Sequence, residues 1–296
     1  RSWRIAKKRI MEKDNGKIVV LFSGGTDSLL TSALMAEKFK EVYLNTYHRF
    51  GFFSTTNSEV NVRKLKERYR DSRFIHQIIK VDKLTKYVFT ERYLRNLSKH
   101  GFFMLSNCGL CKLAMHIRTV IFCLDNNIWN VCDGANQNMR LFPDQMKNVL
   151  KELGKMYARF GINYMNPVFD LEYPEGLDYA DRLHLDRVLP AEGEREDPDA
   201  EKRKRTAGYK LCEMGLMPSE NVKGTELDRK MQPRCFQFIL SNIFINGYYL
   251  QDHTYEEYER ETVKFQKEKI DFFIKILDEY AEKGKKSRIA KLIEDG

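Results

Sequence analysis

Long apolar runs are missing from this chain of 296 residues. Its most hydrophobic stretch, Phe236 to Leu250, is too short for a membrane span and is interrupted by Ser241, Asn242, Asn246 and Gly247, so it reads as a core helix. No charged segment leading into an apolar one stands near Arg1, and the expected setting is cytoplasmic, with no membrane partner. Cysteine is scarce as well. Six thiols are too few for a disulfide scaffold, and in a cytoplasmic chain they are read as buried, metal-binding or catalytic. There is no internal repeat and no coiled-coil array. Acidic charge is the minority sign, with 42 Asp and Glu against 51 Lys and Arg, which favours an anionic partner such as RNA, a nucleotide or an acidic small molecule. What is present, 42% hydrophobic and 31% charged side chains, suffices for the core of one large domain or of one domain plus an appendage.

Residues Lys17 to Phe22 (KIVVLF) form a short run of the kind found in buried parallel strands, followed at once by a Gly-Gly turn. The pattern after Asp27 sets Leu30, Leu34 and Phe39 near one helical face. Val42 to Thr46 and Phe74 to Val81 read as further strands, with a helix over Arg63 to Tyr69 between them. Lys112 to Asp125 reads as a helix, Ile128 to Asp133 as a fourth strand ending in Gly134-Ala135-Asn136, and Met165 to Phe169 as a fifth. Strands alternating with helices predict an α/β, doubly wound parallel sheet, whose ligands belong at the carboxyl ends of the strands. Glu172 to Glu201 is acidic, contains proline and lacks periodicity, as an exposed insertion would. The Lys202-Arg203-Lys204-Arg205 run after it suits either a phosphate contact or a solvated helix start. Thr254 and Glu257 form a capping-box pair ahead of Tyr258, Phe265, Phe272, Ile276 and Tyr280 at helical spacing, a C-terminal helical appendage with a packing stripe. The resulting division is 1–170 for the nucleotide-binding α/β domain, 171–200 for the insertion, 201–253 for the rest of the catalytic domain and 254–296 for the C-terminal extension.

The turn Ser23-Gly24-Gly25-Thr26-Asp27-Ser28 joins the first strand to the first helix. A glycine pair there lets the backbone approach a ligand, and the helix start aims free N–H groups and the positive dipole end at the same place, so an anion belongs there. Ser23 and Ser28 add hydroxyl donors, and Asp27 is suited to hold Mg2+ or to cap the helix. No Gly-Lys-Ser/Thr follows, so this is not a Walker A loop. The string resembles instead the SGGxDS signature of the PP-loop superfamily, the N-type ATP pyrophosphatases, and the resemblance runs as an ordered set of motifs from about Lys17 to Cys235. It implies a Rossmann-like fold of the adenine nucleotide alpha hydrolase (HUP) kind, and cleavage of ATP between its α and β phosphates with AMP left on a substrate oxygen. It also implies that Asn45, Thr46, Tyr47 and His48 lie against adenine, and that Gly134 and Asn136 belong to the turn closing over the nucleotide.

Cys108 and Cys111 form a C-x-x-C pair immediately before the helix expected from Lys112, where two thiols can converge on one metal. Cys235, reached through Pro233, is the expected third ligand. Cys123 and Cys132 read as core residues, and Cys212 as packed on the helix before Gly215. Three cysteines suit a [4Fe-4S] cluster with one open iron, and zinc is the alternative metal. Here the pattern resembles the iron–sulfur-dependent tRNA 2-thiocytidine and 2-thiouridine synthetases. The stretch Lys210 to Cys235 also resembles the sulfur transferase of the nickel-pincer cofactor.

Together these imply an ATP-dependent sulfur transferase that adenylylates a substrate oxygen through the site around Asp27 and replaces it with sulfur held at Cys108, Cys111 and Cys235. Lys112 and Arg118 are candidates to balance the charge of pyrophosphate or cluster. The acceptor is a tRNA base or a small molecule, and the sulfur donor and any homodimer are left open. Two other readings stand beside it: a PP-loop ligase or amidotransferase that uses ammonia, with zinc or no metal, and a nucleotide-binding or RNA-binding module without chemistry.

Overall fold

The β-branched residues of the first strand alternate in direction and feed two separate cores. In β1 (Lys17–Leu21), Val19 and Leu21 enter one cluster while Ile18 and Val20 enter the other, and all four are buried. The computed structural model describes residues 15–104, 108–172, 203–222 and 225–293. Within them the chain runs β1, α1 (Thr26–Ala36), β2 (Glu41–His48), β3 (Phe52–Phe53), α2 (Glu59–Arg68), β4 (Arg73–Lys80), α3 (Asp82–Thr90), α4 (Tyr93–His100) and α5 (Cys108–Asn126). It continues through β5 (Asn130–Asp133), α6 (Lys147–Arg159), β6 (Asn163–Met165), α7 (Ala207–Glu213), α8 (Glu226–Met231), β7 (Arg234–Cys235), α9 (Phe236–Phe244) and α10 (Tyr255–Lys283).

Five strands form one parallel sheet in the order β4-β2-β1-β5-β6, and β3 pairs antiparallel with β7 in a separate ribbon. The chain turns one way from β1 to β2 and β4, and the other way to β5 and β6, so a crevice opens beyond the carboxyl ends of β1 and β5. One face of the sheet is covered by α3, α5, α6 and α10, and the other by α1, α2 and α7. This is the expected doubly wound α/β fold with a C-terminal helix. The fifth strand lies earlier than the expected 165–169. It stops at Met165 because Asn166 turns its amide to Asp133 and Pro167 has no N–H to donate to a ladder.

The capping box is present at Thr254 and Glu257, and α10 runs 29 residues from it. Tyr258, Phe265, Ile276 and Tyr280 are buried as expected, and Phe273 rather than Phe272 completes the stripe. The helix is pinned by polar contacts: Tyr258 Oη donates to the Leu141 carbonyl at 2.9 Å, and the buried Lys269 Nζ donates to the Val88 and Glu91 carbonyls, each at 2.9 Å. The apolar stripe of α10 thus belongs to the same core as β1 and α5.

The expectation of a core helix over Phe236 to Leu250 is corrected. Helix α9 turns Phe236, Leu240 and Ile243 outward, 56%, 44% and 55% exposed, and inserts Ser241 into the protein instead. Apolar composition alone does not say which face is inward, and the three residues share one helical face by their i, i+4, i+7 spacing. Replacing Ile243 by serine should therefore cost about 0.5 kcal/mol or less in chemical denaturation. Replacing the buried Ile276 by alanine should cost about 2–5 kcal/mol.

The segment expected as an acidic insertion lies, apart from Glu172, outside the described residues, as does Lys202. Arg203 pairs with Glu220 at 3.0 Å, so that cation serves a surface ion pair. No helix among the described residues is long and apolar enough to cross a membrane.

Candidate functional site

The turn after β1 is held by its own hydroxyls. Ser28 Oγ accepts from the Gly24 amide at 3.1 Å and donates to the Gly25 carbonyl at 3.0 Å, while Ser23 Oγ accepts from the Gly25 amide at 3.2 Å. Asn61 Nδ2 closes the outside by donating to the Gly24 carbonyl at 2.6 Å. Gly24 has φ +84°, and a β-carbon there would run into the Met231 carbonyl and lie 2.8 Å from Ser58 Cα. Helix α1 starts at Thr26 with Gly25 in the N-cap position. Asp27 is the second residue of the helix and sits half-buried in its first turn, on the wall of a cavity. Ser28 shapes the turn from within, whereas Ser23 is exposed at it.

Gly134, at the end of β5, is packed onto this helix start: a β-carbon would lie 2.7 Å from the Ser28 nitrogen and 2.8 Å from the Asp27 carbonyl carbon. Asn136, two residues on, is buried, and its Oδ1 accepts from the Asn138 amide at 2.9 Å, so it organises the following loop, from which Met139, Phe142, Asp144 and Gln145 reach the cavity.

The C-x-x-C pair does not precede a helix but forms the first turn of one, since α5 begins at Cys108. Cys108 Sγ donates to Ser241 Oγ at 3.2 Å. Cys235 arrives from the far end of the chain on the small ribbon, where it pairs with Phe52. Between them stands Arg49, which donates through Nε to Cys111 Sγ at 2.6 Å and through Nη2 to Cys235 Sγ at 3.5 Å. The three expected ligands and the turn residues Ser23, Gly25, Thr26, Asp27 and Ser28 all line one cavity of about 330 Å³. Cys123 and Cys132 are fully buried core residues, and Cys212 is half-buried on α7.

Burial dominates the electrostatics. It pushes the Cys108 thiol well above its ordinary range and Cys111 up to about 11, even though the Arg49 guanidinium pulls the latter down. Asp144 on the cavity wall is raised, again chiefly by burial. Behind the cavity the fully buried Asp133 accepts from Tyr164 Oη at 2.9 Å, from Asn166 Nδ2 at 2.6 Å and from the Ala135 amide at 3.1 Å. Lys112 Nζ lies 3.8 Å from it and His116 Nε2 3.7 Å. Burial drives His116 down to about 3, so this imidazole is neutral and the ionic partner of Asp133 is Lys112. That pairing holds the lysine at the cavity. Arg118 is not among the cavity residues, so the two expected cations part company.

Asn45, Thr46 and Tyr47 line a smaller adjoining cavity of about 150 Å³ that shares Leu21, Ser23, Phe52, Lys112, Met115 and Cys235 with the first. Asn45 is fully buried there, and neither atom of its amide has a hydrogen-bond partner. His48 makes a long contact with Thr55 Oγ1 at 3.4 Å and lines neither cavity.

Among the described residues no three His, Cys, Asp or Glu side chains are grouped so as to hold a metal ion as they stand. The donor set nevertheless suits one in its chemistry: three thiols and no histidine on the wall of one cavity, the composition of a thiolate-bound iron or zinc centre. Sequence reasoning missed Arg49, Asp144, Gln145 and Gln232. Arg49 carried a usable signal, a cation placed directly after the carboxyl end of a strand of the parallel sheet.

No family model matches the chain, and no curated protein matches it. Among solved structures it is similar to the U34-tRNA thiolase NcsA from Methanococcus maripaludis with its [4Fe-4S] cluster, at 14% identity and a TM-score of 0.38, over 92% of this chain and 79% of that one.

Proposed function

We propose that the chain is an ATP-dependent sulfur transferase. The observation that carries this reading is the shared cavity: the anion-ready turn and three thiols from two distant parts of the sequence face the same space. In the reading, the first-turn amides of α1 and Ser23 bind the phosphates, with Asp27 holding Mg2+. Asn45, Thr46 and Tyr47 face the base, where the unpartnered Asn45 amide offers both a donor and an acceptor. The acceptor's oxygen attacks the α-phosphorus, pyrophosphate leaves, and Lys112 stands ready to balance the developing charge. Sulfur then replaces the AMP-bearing oxygen, and AMP departs with it. A [4Fe-4S] cluster bound by Cys108, Cys111 and Cys235 would supply that sulfur at an open iron. The acceptor is a tRNA base or a small molecule, and binding to bulk tRNA that weakens steeply with salt selects the former.

Anaerobic reconstitution with iron and sulfide tests the proposal. Broad visible absorption that is lost in Cys108→Ala, together with acceptor-dependent pyrophosphate release, is the expected result. A colourless protein carrying stoichiometric zinc would assign the same ATP step to a ligase or amidotransferase. Absence of pyrophosphate release with every acceptor tried would leave only a binding module.

A further inference from the structure

Arg49 follows β2 directly and is 8% exposed. Its guanidinium is fixed by the chain beside it: Nη1 donates to the Phe50 carbonyl at 2.6 Å, and its plane lies over the Phe52 ring, 4.6 Å from the centroid. The remaining nitrogens reach sulfur, Nε at Cys111 Sγ, 2.6 Å, and Nη2 at Cys235 Sγ, 3.5 Å. The third thiol has a partner of its own. Ser241, the fully buried residue that α9 turns inward, holds its Oγ 3.2 Å from Cys108 Sγ. Each cysteine proposed as a ligand therefore has a hydroxyl or guanidinium group at its sulfur. The buried Cys123 and Cys132 have no such side chain at theirs among the described residues.

Metal-bound sulfur keeps lone pairs that accept N–H and O–H hydrogen bonds, so these donors are compatible with loading of the thiols. Arg49 needs no second position for this, and Ser241 needs only a turn of its hydroxyl hydrogen. Three thiolates carry one negative charge more than an oxidised [4Fe-4S] core carries positive, and a buried charge without a partner is costly. The guanidinium cancels it. Lys112, the other cation on the cavity wall, is committed to Asp133 at 3.8 Å. We infer that Arg49 and Ser241 are positioning residues of the metal centre, which keep their N–H and O–H groups on its three sulfur ligands and draw negative charge from them. The inference rests on the iron centre of the proposed function and adds a property to it. An added electron is accommodated more easily beside these donors, so they raise the reduction potential and hold the iron against oxidation.

Redox titration with dithionite tests this on protein reconstituted anaerobically with iron and sulfide, followed by visible absorption and electron paramagnetic resonance, with iron content determined on every sample. In Arg49→Met the ratio of oxidised to reduced centre at a given potential should rise about tenfold, which lowers the midpoint by about 59 mV for one electron. Arg49→Lys restores the charge but cannot donate to two sulfurs at once, and its midpoint should fall between the two. Ser241→Ala should lower the midpoint by less than Arg49→Met. A merely structural Arg49 would cost iron content or stability and leave the potential of the retained centres where it was. An unchanged midpoint in Arg49→Met at full iron content would overturn the inference and leave the proposed function standing. Should Arg49→Met hold no iron, unchanged midpoints in both Arg49→Lys and Ser241→Ala would overturn it equally. Wild type that holds no iron through these thiols would bring down the inference and the proposed iron centre together.

Discussion

Replacing Gly24 by alanine should weaken ATP binding by about a hundredfold, because a displacement of this backbone by an ångström is enough to spoil a positioned site. The physical cause is doubled at this residue. Its φ of +84° disfavours any side chain, and the added carbon has no room beside the Met231 carbonyl and Ser58 Cα, both of them backbone. Strain and overpacking together should lower stability by about 2–4 kcal/mol in chemical denaturation. Gly161 supplies the control. It too has positive φ, at +72°, yet a β-carbon there meets nothing within 4 Å. Gly161→Ala should cost about 1–2 kcal/mol and leave ATP affinity unchanged. Equal nucleotide affinities for wild type and Gly24→Ala would show that the turn does not grip the phosphates.

Cys235→Ala should separate the two halves of the proposed reaction. Pyrophosphate release in the presence of acceptor should continue, since none of the turn residues depends on this thiol, while thiolated product should disappear. Affinity for iron should fall by more than about a hundredfold, the upper end of what is lost when only an outer partner of a ligand is removed. The ribbon should survive, because Cys235 joins it to Phe52 through backbone pairing. Iron and product counted on the same sample decide the matter. Wild-type levels of both would remove Cys235 from the site.

The sheet was legible because β1, β2, β4 and β5 each send apolar residues into both cores, and a glycine closely follows β1, β2 and β5. The turn after β1 was legible for a local reason: its two glycines and the serines whose hydroxyls hold it lie together within Ser23 to Ser28. Helix α6 was overlooked although Val149, Leu150, Leu153, Met156 and Tyr157 are spaced as a buried helical stripe. The β3–β7 ribbon could not be read, since two residues per strand give no period and the partners are about 180 positions apart. Yet it is this ribbon that carries Cys235 to the C-x-x-C pair. The choice of Cys235 by its proline approach reached a residue on the cavity, while Arg49 between the sulfurs became visible only when the ribbon had folded over it.

The outward face of α9 marks another limit. Composition made Phe236 to Leu250 the best core candidate in the chain, but residues 236, 240 and 243 face away from the protein. Burial is decided by which neighbours an element meets, and for a helix that leaves a two-residue strand those neighbours are set by tertiary contacts.

The central claim is that one cavity serves both a triphosphate and a thiolate-bound metal centre. Iron anomalous scattering from crystals of reconstituted protein grown with α,β-methylene-ATP addresses it most directly. The account predicts an iron peak bonded to the sulfurs of Cys108, Cys111 and Cys235, with phosphate density against the amides that follow Gly25. Nucleotide bound elsewhere, or iron bonded to sulfurs other than these three, would contradict it.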